Sequence, residues 1–119
     1  RGGREAQPRE IALVGQLAGG HPNLTQLAGS LVWEARDRGW DEAQIRRRYA
    51  HQARPIFQGI WNRLTKAQKN AVQEVLGIVS AGPVPREVWD GLKRRGVLNP
   101  SGDVFCKAFA DFIVSVEMA

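Results

Sequence analysis

The sequence predicts an all-α fold carrying one small β-hairpin. Apolar residues recur at spacings of three and four along most of the chain, the signature of helices that bury one face. Capping residues and glycines separate these stripes at helix-like intervals. Only residues 97–106 place two short apolar runs around turn residues, as a hairpin requires. With 119 residues, 43% of them hydrophobic, the chain is large enough for one ordinary domain or two very small packed subdomains.

Residues 1–7 are rich in Gly and Arg and lack periodicity, so they read as a linker. Pro8 suits the first turn of a helix, and Ile11, Val14, Leu17 and Ala18 give that helix a stripe that Gly19-Gly20 ends. After His21-Pro22, Asn23 with Gln26 resembles a capping box, and Leu24, Leu27, Ala28, Leu31 and Ala35 share one face up to Gly39. Asp41 with Gln44 repeats the start signal for a long helix striped by Ile45, Tyr49, Ala53, Ile56, Ile60 and Leu64. Pro55 interrupts it, removing a backbone donor and predicting a kink or division near residue 54.

Thr65 with Gln68 opens a further helix bearing Ala71, Val72, Val75, Leu76 and Val79, and Ala81-Gly82-Pro83 reads as a turn. The next helix starts near Pro85, presents Val88, Trp89 and Leu92, and stops at Gly96. Val97-Leu98 and Val104-Phe105-Cys106 flank the turn Asn99-Pro100-Ser101-Gly102. Phe105, Phe109, Phe112, Ile113 and Val116 then read as a strand running into an apolar helix. Val88, Leu92, Phe105, Phe109 and Phe112 are expected to share one core. Of the four tryptophans, Trp40 is the one expected nearest solvent.

Net charge is +5, carried mainly by arginine, which favours polyanions or acidic surfaces as partners. No apolar run approaches the roughly 18–20 residues of a membrane helix, so no membrane partner is expected. The first ten residues are polar and charged, unlike a secretory signal, and a single cysteine, Cys106, cannot form an internal disulfide. Both features fit a cytoplasmic protein. The only methionine is Met118 and the chain opens on Arg1, which suggests a piece of a longer protein.

The chain contains no G-x-x-x-x-G-K-[ST] phosphate loop, and His21 and His51 lack the neighbours that would complete a metal site. Cys106 lies in an apolar run without an evident histidine partner, which suits a buried structural thiol. These absences predict that the chain is not an enzyme and holds no cofactor of its own. The order of helix (65–79), helix (85–95) and hairpin (97–106) is the skeleton of a winged helix, with residues 99–103 as the wing. Arg86, Lys93, Arg94 and Arg95 would then line a recognition helix able to contact DNA, or else form a solvated helix end favoured by the macrodipole. Arg46, Arg47 and Arg48, with Arg36, Arg38 and Arg54, form either a solvated basic face or an anion-binding or inter-domain surface.

One stretch carries a resemblance. Gly19-Gly20-His21-Pro22-Asn23-Leu24-Thr25-Gln26-Leu27, followed by Leu31-Val32-Trp33-Glu34-Ala35, resembles the helical lid of archaeal-type and STAND-class P-loop ATPases. Phe57 with Trp61-Asn62-Arg63-Leu64-Thr65 resembles the junction that leads from that lid into a winged helix. The segments 92–98 and 104–112 resemble its later part, so the likeness runs over about residues 8–116. The resemblance implies a lid subdomain (8–64) packed on a winged-helix subdomain (65–117), forming a C-terminal regulatory region. Its partners would be the P-loop core and other domains of the parent protein, with ATP or ADP bound by the parent. It also implies that Gly20, His21 and Pro22 sense nucleotide, although Asn23 and Thr25 stand where the family carries larger apolar or aromatic residues. The alternatives are a DNA-binding module of a transcription regulator and a structural protein–protein interaction module.

Overall fold

A computed structural model describes residues 7–78 and 82–118. The described residues form seven helices: α1 (Pro8–Ala18), α2 (Pro22–Arg38), α3 (Glu42–Gln52), α4 (Arg54–Asn62), α5 (Lys66–Val75), α6 (Arg86–Arg94) and α7 (Lys107–Glu117). None of them is long and apolar enough to cross a membrane. The expected Val79 position and the start of the 81–83 turn lie outside the described residues.

Most helix boundaries follow from local chemistry. Asp41 accepts a hydrogen bond from the Gln44 backbone at 2.8 Å while Gln44 accepts one from the Asp41 backbone at 2.9 Å. Thr65 and Gln68 exchange the same pair of bonds, at 3.1 and 2.9 Å, to open α5. Pro55 separates α3 from α4 at Ala53, as the missing N–H requires. In α2 the start differs from the expected box at Asn23 and Gln26. Pro22 occupies the first helical turn, so the N-cap is His21 and Asn23 already lies inside the helix. The α1 stripe is also rotated: Leu13, Leu17 and Ala18 are buried, whereas Ile11 remains 61% exposed.

The β-hairpin wing is not formed. Among the described residues the segment contains a single antiparallel bridge, Leu98 with Val104, and no strand. The reason lies in the backbone donors. Leu92 O accepts from both Val97 N (3.0 Å) and Leu98 N (3.3 Å), closing α6, while Cys106 already caps α7. Two residues per arm remain. The turn is held by Asn99, whose Oδ1 accepts from Ser101 N (2.9 Å) and Asp103 N (3.1 Å), beside two backbone bonds between the arms, Asn99 N to Asp103 O (2.8 Å) and Phe105 N to Val97 O (3.0 Å).

α1 packs on α2 and α5 on α6, while α7 lies against α3 and α4. The buried residues make one continuous cluster. Leu92, Phe109 and Phe112 are buried in it, with Val88 and Phe105 half-buried against it. Phe57 from α4 meets Phe109 and Phe112 of α7 at centroid distances of 5.3 and 5.8 Å. The Tyr49 hydroxyl donates to the Leu17 carbonyl at 2.7 Å, tying α3 to α1 inside the core. Trp40 is half-buried beneath the Arg48 guanidinium, 4.0 Å from its ring centre, rather than open to solvent.

A second tie joins α1 to α2. Arg36 donates through Nε to Glu10 Oε2 at 3.0 Å and through Nη2 to Oε1, a bidentate pair whose side chains are only 16% and 18% exposed. The Arg36 hydrogen bonds, aided by the Gln7 backbone N–H, lower the Glu10 pKa to about 2. A carboxylate whose folded pKa is depressed stabilises the fold above its unfolded pKa and loses that contribution as pH falls toward the folded value. Glu10→Gln is therefore expected to lower stability at neutral pH by about 1–2 kcal/mol, after allowance for partial solvent access. The difference from wild type should shrink from about pH 5 to pH 2, because the wild-type pair is itself lost there. Urea melts across that range would check it; a pH-independent difference would exclude the linkage.

Candidate functional site

The residues singled out at the head of α2 sit where the α1–α2 turn meets the end of α6 and the segment before α7. Gly19 ends α1 at φ +59° and Gly20 follows at φ +90°, conformations that only glycine adopts without strain. Gly19 also allows a close approach: a Cβ there would lie 2.5 Å from Phe105 Cδ2. The turn places His21 so that its Nε2 lies 3.0 Å from the Gly96 carbonyl, seventy-five residues away. In the tautomer protonated at Nε2 the ring donates this bond.

The other side of the histidine is aromatic. Its ring centre is 4.4 Å from Phe105, which stacks on Phe109 at 5.1 Å. Phe109 reaches Phe57, and Phe57 meets the edge of Tyr49 at 6.0 Å. A continuous row of rings therefore connects the α1–α2 turn to the centre of the core.

Around His21 lie two adjoining clefts. Gly19, Gly20, His21, Pro22, Arg94, Arg95 and Gly96 line the first, of about 220 Å³. His21, Ile60, Arg63, Leu64, Arg95 and Val97 line the second, of about 240 Å³. Arg95 borders both, and its Nη1 donates to the Arg63 carbonyl at 3.4 Å. Gly20 and Pro22 are exposed, whereas His21 is half-buried. No side chain caps the α2 N-terminus, which opens beside this region.

The sequence-predicted residues thus divide. Gly20, His21 and Pro22 come together with Arg94 and Arg95, while Lys93 and Arg86 do not line either cleft. Arg86 is 91% exposed and lies 3.8 Å from Asp90. Arg46 and Arg47 border a different concavity, of about 290 Å³, with Cys106 and Lys107. Arg46 is engaged by Glu42 and Gln16, each at 2.9 Å, and Arg48 by Trp40. Arg63 had no signal in the sequence: it ends α4, and only the tertiary fold carries it to Arg95.

Cys106 is 6% exposed, and its Sγ accepts from the Phe109 backbone at 3.4 Å, so it caps α7. Burial pushes the thiol up to about 11 and raises the neighbouring Tyr49 hydroxyl as well. A thiol held protonated in this way is a poor nucleophile. A further concavity, about 420 Å³ among α1, α2 and α3, has Leu13, Val32 and Ile45 in its lining, with Glu10 and Arg36 committed to one another.

No family model, curated protein or solved structure matches the chain.

Proposed function

We propose that this chain is the C-terminal regulatory part of a STAND-like ATPase, in which residues 8–64 act as a nucleotide-sensing lid and residues 65–117 as a winged-helix-like relay. The observation that carries this reading is the double engagement of His21, bonded to Gly96 and packed on Phe105. A displacement of the Gly20-His21-Pro22 turn by nucleotide would be felt at once by the end of α6 and the start of the segment leading to α7. The row of rings gives that displacement a stiff path into the core, because packed interiors transmit strain. ATP or ADP would be held by the parent's P-loop core, with this turn pressing on it from one side. Hydrolysis would belong to the core and not to this chain.

The experiment is ADP release from the intact parent protein. His21→Ala is expected to change the release rate by roughly fivefold or more, since it uncouples the turn from both contacts. Pro22→Ala, which keeps the His21 contacts, should change it less. Identical rates for wild type and both variants would reduce the turn to a joint between two helices. The rival DNA-reading role would use Arg86, Lys93, Arg94 and Arg95, all exposed along α6 and at its end. It is less well supported, since Arg86 faces Asp90 and the wing it would need shrinks to one bridge.

A further inference from the structure

We infer that the paired clefts around His21 and Arg95 form a binding site for a short polyphosphate, with Arg63, Arg94 and Arg95 as its cations. The inference rests on the distribution of charge; the site shares the Gly20-His21-Pro22 turn with the ATPase reading, and its test needs no parent protein. Arg36, Arg38, Arg46, Arg86 and Lys107 each face a carboxylate. Arg48, Arg54 and Lys69 each lie over an aromatic ring. Arg9 and Arg47 border concavities that also hold carboxylates, Glu10, Asp41 and Glu42 for the first and Asp111 for the second, while Lys66 and Lys93 border neither of the His21 clefts. Arg63, Arg94 and Arg95 differ in lining clefts without Asp or Glu, and none of the three faces a carboxylate among the described residues.

Three like charges gathered on a concave surface repel one another, and an anion of several charges relieves that repulsion more than separate counter-ions do. Guanidinium groups also match phosphate oxygens in geometry, each offering two parallel donors. The Arg95–Arg63 backbone contact restrains one fork before any ligand arrives. Each cleft, at about 220 and 240 Å³, is well above the roughly 30 Å³ that one water occupies in the liquid. Because Arg95 and His21 border both, a chain of two or three phosphates could extend from one cleft to the other. A DNA duplex is too broad to enter and would meet only the rim.

The chain itself serves for the test, titrated by calorimetry at low and moderate salt with tripolyphosphate, ADP and duplex DNA in separate arms. Tripolyphosphate is expected to bind, more weakly as salt rises. If ADP binds more tightly, the site takes the phosphates of a nucleotide; if tripolyphosphate does, it takes the inorganic anion. Either supports the inference. Arg94→Gln with Arg95→Gln should weaken tripolyphosphate by roughly tenfold or more, since charge-assisted hydrogen bonds are lost. Arg9→Gln with Lys66→Gln removes the same charge outside both clefts and should leave affinity nearly unchanged. All four residues are exposed, so folding should survive, as thermal melts would verify. No binding of tripolyphosphate or ADP, equal loss in both double variants, or binding of DNA alone would overturn the inference. None of these outcomes depends on ADP release from the parent, so the two proposals can fail separately.

Discussion

Phe109→Ala is expected to destabilise the fold by about 3–5 kcal/mol, the range for removing a fully buried aromatic side chain. Phe109 has no exposed surface and is touched by rings on three sides, Phe57 at 5.3 Å, Phe105 at 5.1 Å and Phe112 at 6.3 Å. Its loss would remove apolar burial, leave a cavity, and cancel edge and stacking contacts worth about 0.5–1.5 kcal/mol for each pair. The site is hard to refill by collapse, because its neighbours are held from different elements: Phe57 by α4, Phe112 by α7 itself, and Phe105 by the turn ahead of α7. Chemical denaturation with both fluorescence and circular dichroism is the measurement. A loss below about 1 kcal/mol would mean that the ring row is not the centre of the core.

Some local starts and the apolar faces that build the core are legible in the sequence, Val88, Leu92, Phe105, Phe109 and Phe112 among them, whereas the meeting of distant turns is not. The boxes at Asp41/Gln44 and Thr65/Gln68 form as expected because each needs only residues three apart. The similar pattern at Asn23/Gln26 fails because Pro22 decides the helix start first. The start of α1 is a half box that the sequence reading passes over, because Gln7 falls with the Gly- and Arg-rich residues before it: Glu10 Oε1 accepts from Gln7 N at 2.7 Å, while Gln7 makes no side-chain cap. The hairpin was over-read for a related reason. Alternation and turn residues were in place, but whether Val97 and Leu98 could donate to a ladder depended on how α6 ends. In the candidate site, Gly20, His21 and Pro22 stood out as a motif and Arg94 and Arg95 as charge. Nothing periodic reports that the two groups lie together, because the bond between His21 and Gly96 spans seventy-five residues.

Gly19→Ala tests whether that long-range meeting is built into the fold, and it is expected to cost about 2–3 kcal/mol. Two effects add. A residue with a Cβ held at φ +59° carries roughly 1–2 kcal/mol of backbone strain. The new methyl would also stand 2.5 Å from Phe105 Cδ2, 3.0 Å from its Cβ and 3.1 Å from its Cγ. An isolated ring would simply swing away. Phe105 cannot do so freely, since His21 lies 4.4 Å from one part of it and Phe109 stacks 5.1 Å from another. Relief must therefore come from moving the turn off the ring, which also draws His21 from the Gly96 carbonyl. Gly20→Ala provides the control: its φ is +90°, yet a Cβ there meets nothing within 4 Å. It should show backbone strain without displacement of Phe105. Nuclear magnetic resonance separates the two, through the ring signals of His21 and Phe105 and the amide of Phe105, which donates to Val97 at 3.0 Å. These signals should shift strongly in Gly19→Ala and little in Gly20→Ala. Equal shifts in both variants would mean that strain in the turn, and not its contact with Phe105, governs how the α1–α2 turn is joined to the segment between α6 and α7.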